Sequence, residues 1–74
     1  MNYAQRIRDL REDKDLNQTA VAEYLNTSQT VYARYERGER PLPIEHLIRL
    51  CKFYNISPEY ILGFTNIPKP LPKK

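Results

Sequence analysis

Cysteine is nearly absent from this 74-residue chain: Cys51 stands alone, so no internal disulfide can staple the fold. One cysteine and one histidine, His46, cannot close a tetrahedral metal site, and no metal or cofactor is expected. Tryptophan is missing and glycine occurs twice, at Gly38 and Gly63, which leaves no glycine-rich loop to cradle a phosphate. No apolar run approaches the roughly 20 residues of a membrane span. Met1 to Leu10 carries Arg6, Arg8 and Asp9 and lacks the apolar centre of a secretion signal. A cytoplasmic setting without membrane attachment is the expectation. No nucleophile stands beside a base at a recognisable spacing, so an enzyme is not expected.

What remains is a basic chain with helical periodicity. The net charge is +3 and the pI about 9.2, which suits a polyanionic partner without demanding one. Apolar residues recur every third or fourth position, which argues for an all-α fold, a compact bundle of about five short helices. Tyr3, Ile7 and Leu10 form one stripe, with Arg6, Arg8, Asp9, Arg11 and Glu12 as its charged surroundings. Asn17 is placed to cap a second helix striped by Val21, Ala22 and Leu25, and Ser28 a third that carries Val31, Tyr32 and Tyr35. Gly38 is expected to end that third helix. Pro41 and Pro43 mark a loop. The fourth helix bears Ile44, Leu47, Ile48, Leu50 and Cys51 and reads as the central core helix, with Asn55 as its stop. Ser57-Pro58-Glu59 starts a short last helix that ends at Gly63. Residues 1–66 therefore read as one domain and residues 67–74, rich in proline and lysine, as a flexible tail.

The informative stretch is 18–37. Only Asn26 and Thr27 separate the end of the second helix from the cap of the third, so the chain turns sharply and the helices cross steeply. Steep crossing needs a small residue where the backbones approach, which Ala22 supplies. This is the geometry of a helix-turn-helix. The ordered set Leu16-Asn17-Gln18, Val21-Ala22, Leu25, Ser28-Gln29 and Arg34-Tyr35-Glu36-Arg37-Gly38 resembles that of Cro and lambda-repressor-like domains, the Xre family of bacterial and phage regulators. Pro41, the Leu47–Leu50 helix and the run from Asn55 to Leu62 extend the likeness across nearly all of residues 3–62. Asn26 stands where the family usually has glycine, Thr27 where an aliphatic is common, and Tyr32 where isoleucine or valine is usual.

The resemblance implies a transcriptional regulator, a repressor by preference, that binds an operator in double-stranded DNA. The major groove admits an α-helix and presents a distinct donor and acceptor pattern for each base pair. Gln29 suits the edge of adenine, Arg34 that of guanine, and Thr30 offers a hydroxyl or a methyl; Ala33 is placed on the same face. Gln29, Thr30, Ala33 and Arg34 are thus the expected base-contacting set. Gln18, Ser28, Tyr32, Arg37 and Arg40 are the expected phosphate contacts, which set register rather than sequence. Glu36 reads as structural, because a carboxylate facing DNA would be repelled. A homodimer is expected through the last helix by Tyr60, Ile61, Phe64 and Ile67. The alternative reading is an antitoxin-type module that binds both DNA and a protein partner.

Overall fold

The computed structural model describes residues 2–72. Helix formation begins at polar caps. Asn2 Oδ1 accepts from the Gln5 N–H at 3.0 Å, Asn17 Oδ1 from Ala20 N–H at 2.8 Å and Ser28 Oγ from Val31 N–H at 3.1 Å. Each bond satisfies one of the amides that a helix leaves without an internal acceptor. The helices so started are α1 (Tyr3–Asp13), α2 (Gln18–Tyr24) and α3 (Gln29–Glu36), and they are followed by α4 (Ile44–Tyr54) and α5 (Pro58–Ile61). Ser57 occupies the capping position of α5, but its side chain makes no cap bond. Proline at the first position of α5 needs no acceptor for a missing N–H and carries the start instead.

The helices also end alike. Asp15, Asn26, Gly38, Asn55 and Gly63 all have left-handed backbone, with φ between 51° and 84°. Behind each, the chain folds back in the same pair of bonds. Asn26 N–H donates to Glu23 O at 3.0 Å and Thr27 N–H to Ala22 O at 2.9 Å; Asp15 with Leu16, and Gly38 with Glu39, repeat the pattern. The two bonds close the last carbonyls of the helix and reverse the chain within two residues. That stop at Asn26 turns the chain from α2 into α3 within a few residues, and Ala22, 1% exposed, is buried between them and the core.

The core draws on every helix. Ile7 and Leu10 of α1 meet Val21, Ala22 and Leu25 at α2, Tyr32 and Tyr35 of α3, Leu47, Leu50 and Cys51 of α4, and Ile61 of α5. Tyr32 and Tyr35 pack edge to face, with ring centroids 6.2 Å apart. The expectation that α4 is buried on a wide apolar face is met only in part. Leu47, Leu50 and Cys51 are buried, but Ile44 and Ile48 are 70% and 48% exposed. A helix of 11 residues in so small a body has neighbours on one side only.

The segment after α5 does not leave the body. Arg6, itself buried, donates to Asn66 Oδ1 at 2.6 Å and lays its guanidinium over the Tyr60 ring, 4.1 Å from the centroid. Further on, Ser57 N–H donates to Lys69 O at 2.7 Å and Leu71 packs against the core. Residues 67–72, expected as flexible, are therefore held at defined points, because the unsatisfied amide of Ser57 and an apolar surface on α4 are available to them. Lys73 and Lys74 lie outside the described residues.

Candidate nucleic-acid interface

Helix α3 has two faces with different duties. Tyr32, Tyr35 and Glu36 turn inward, while Ser28, Gln29, Thr30, Arg34 and Arg37 are exposed. The inward tyrosines fix the helix against α1 and α2. The outward residues form a polar ridge, with Gln29 and Thr30 in the first turn and Arg34 one turn further along.

Gln29 does not hang free. Its Nε2 donates to Gln18 Oε1 at 2.7 Å, and Gln18 Nε2 donates in turn to Glu36 Oε1 at 3.1 Å. Arg11 of α1 completes the chain: Nε donates to Glu36 Oε2 at 2.7 Å, Nη2 to Glu36 Oε1 at 3.0 Å and Nη1 to the Leu16 carbonyl at 2.8 Å. A carboxylate only accepts, so the Gln18 amide must turn its nitrogen to Glu36 and its oxygen to Gln29. The direction of donation is thereby fixed, converging on Glu36 from Arg11 on one side and from Gln29 through Gln18 on the other, and α1, α2 and α3 are joined by one polar line. The Arg11–Glu36 fork is well screened from water, with side chains 13% and 3% exposed.

The electrostatics follow from this packing. Burial pushes the Glu36 carboxyl up, but the hydrogen bonds and charge of Arg11, the hydrogen bond from Gln18 and the dipole of the nearby Tyr32 hydroxyl outweigh it and hold the group below the usual carboxylate range. Burial, then the Glu36 carboxylate, pushes the Tyr32 phenol up, so it stays protonated. Its hydroxyl lies near Glu36 without meeting hydrogen-bond geometry.

Two expected contacts leave the set. Tyr32 is 0% exposed, so it cannot reach a phosphate; an aromatic ring at this inward position fills the core and takes its hydroxyl with it. Ala33 is 5% exposed and offers no surface to a base. Its methyl is too short to clear the longer side chains one turn away. Gln18 keeps a half-buried position, but as the middle of the polar line. Arg37 is exposed and already paired, its Nε 2.9 Å from Glu39 Oε2. Arg34 and Arg40 enter no ion pair among the described residues, although the Arg34 charge helps to lower the Glu39 carboxyl. Arg11 is the site residue that sequence reasoning missed. Its signal was position: it lies four residues after Ile7, at the edge of the α1 apolar stripe, where a long cation can reach inward.

Comparison with known proteins bears on the family and the fold. The family model described as Helix-turn-helix matches residues 7–61. The HTH-type transcriptional regulator YobD of Bacillus subtilis is 35% identical over 92% of this chain, which spans 61% of that protein's length. The cryptic phage CTXphi transcriptional repressor RstR of Vibrio cholerae is 34% identical, over 97% of this chain and 67% of its own. Among solved structures, the P22 c2 repressor in complex with a synthetic operator superposes with a TM-score of 0.79 at 28% identity, covering 88% of this chain and 98% of that one.

Proposed function

The chain belongs to the helix-turn-helix family, and from that premise we propose that it is a transcriptional regulator, a repressor, that binds duplex DNA by laying α3 in the major groove. One observation carries the reading. The exposed edge of α3 holds Gln29, Thr30 and Arg34 while its opposite edge anchors the core, so the polar ridge is rigid and stands clear of the body. The relatives named as regulators and repressors, and the P22 c2 repressor solved on an operator, support it.

The chemistry is that of base edges. Gln29 gives one Nε2 hydrogen to Gln18, which leaves its second hydrogen and its Oε1 for N7 and N6 of an adenine. Arg34, without an ion pair, suits O6 and N7 of a guanine. Fixing Gln29 in advance removes part of the ordering cost of a long flexible side chain, about 1–2 kcal/mol. Ser28 Oγ accepts from Val31 N–H and keeps its own hydrogen for a phosphate oxygen. Gln18 has one Nε2 hydrogen left for the same purpose. Arg37 reaches a phosphate by exchanging its partner Glu39, and Arg40 needs no exchange.

A single module of this size buries about 600–1,000 Å² on DNA, and pairing two half-sites about 34 Å apart raises both affinity and specificity. The two-fold contact we infer is Phe64 and Ile67, 81% and 62% exposed, with Leu62 beside them. Ile61, 0% exposed, belongs to the core, and Tyr60 lies under the Arg6 guanidinium, so neither is offered as a free contact.

The test starts with selection of binding sites from random duplex DNA. On the selected site, Arg34→Ala and Gln29→Ala each cost about 1–3 kcal/mol, and little on random DNA. Equal loss on both DNAs would reduce these residues to phosphate contacts. Failure to select any duplex would overturn the reading.

A further inference from the structure

Away from the α3 ridge, an open apolar groove runs between α4 and α5, walled by Leu47, Ile48, Cys51, Lys52 and Pro58, and Leu71 from the end of the described chain joins its lining. The segment that brings Leu71 there reads Pro68-Lys69-Pro70-Leu71-Pro72. Proline at alternate positions fixes φ and favours an extended left-handed helix before any contact is made. The two residues between the prolines make the backbone contacts. Lys69 O accepts from Ser57 N–H at 2.7 Å, and Leu71 N–H donates to Asn55 Oδ1 at 3.3 Å.

These four groups fit in register. Ser57 N–H precedes α5 and has no partner within that helix. Asn55, held left-handed at φ 51°, ends α4 with its backbone and has its side chain left over. The groove thus takes a carbonyl at one residue, an N–H two residues later and a leucine side chain at that same residue. Proline before, between and after lacks an N–H, so no donor is trapped against the apolar wall.

We propose that residues 68–72 are an intramolecular ligand, a latch, and that the α4–α5 groove is a docking site for an extended leucine segment flanked by prolines, with the chain's own Leu71 seated along its edge. The inference is independent of DNA binding. Release of the latch takes Leu71 away from the wall it shares with Cys51, now 4% exposed, and widens the groove past Ile48 toward the exposed Ile44 one turn before it.

Cys51 is the reporter, in the 74-residue chain. Leu71→Ala raises the rate of Cys51 alkylation by iodoacetamide by about three- to tenfold, the factor for losing a half-buried leucine. Asn55→Gly keeps the left-handed backbone, removes only the acceptor, and raises the rate severalfold. A capped peptide of residues 67–72, added to the Leu71→Ala chain, slows alkylation again; the same peptide with alanine for leucine does not. Amide exchange in α1 stays unchanged throughout. Unchanged Cys51 rates in both variants would overturn the latch. Loss of α1 protection in step with Cys51 would reduce the segment to general stabilisation and overturn it too. A peptide without effect would overturn the docking site.

Discussion

At Glu36 two opposing effects meet within one side chain. Loss of water disfavours its charge, and the Arg11 fork with Gln18 more than restores it, so the carboxyl ionises below its usual range. A carboxyl with a depressed folded-state pKa stabilises the fold fully above its unfolded value of about 4.3, and that stability is lost as pH falls through the folded value. The midpoint of thermal unfolding should therefore fall steeply on acidification below about pH 4.3. In Glu36→Gln the midpoint should be lower at neutral pH and the acid slope shallower. Identical slopes for the two proteins would remove Glu36 from the account. Glu36→Ala strands the Arg11 guanidinium and should cost about 3–5 kcal/mol by urea unfolding. The intramolecular role of Glu36 was legible in the sequence. Its partner was not, because an arginine 25 positions away leaves no periodic signature. Tyr32 misled for a related reason: residue type advertises a hydroxyl, and only packing decides whether that hydroxyl meets water.

Among the elements, the helix stops carry most of the architecture. Among the described residues, five helices end on five left-handed residues, two of them glycine. An L-residue held there costs roughly 1–2 kcal/mol, less for asparagine and aspartate, whose side chains bond locally. Asp15→Gly should accordingly raise stability by about 0.5–1 kcal/mol in denaturant unfolding. Gly38→Ala should lower it by about 1 kcal/mol, from backbone strain alone, since an added Cβ would meet nothing within 4 Å. A destabilised Asp15→Gly would show that the aspartate side chain has a duty not seen here. Element positions were readable from caps and stripes: Asn17, Ser28, Gly38, Asn55 and Gly63 act at the helix ends where the sequence placed them. The anchored segment 67–72 was not readable. Proline-rich composition describes a chain without partners, and its partners, the Ser57 amide and Asn55 amide oxygen, become available only when α4 and α5 have formed.

For the molecule as a whole, a chain of this length holds only roughly 4–11 kcal/mol of net stability, about 0.05–0.15 kcal/mol per residue. Phe64 and Ile67, the surface proposed for the two-fold contact, can be tested without touching the core. Phe64→Asp should shift sedimentation toward the monomer and weaken binding to a two-half-site duplex far more than to a single half-site. A wild-type chain that sediments as a strict monomer, free and on operator, would remove the contact.

The polar line from Arg11 to Gln29 has a consequence for retargeting. On the proposed reading, Thr30 and Arg34 are lettering on a plate: either can be rewritten to address another base pair without disturbing the polar line beneath. Gln29 is wired through Gln18 to the ion pair under the helix, so rewriting it edits the mounting as well as the message. A designer seeking a new operator would begin at positions 30 and 34, and would change position 29 only together with position 18.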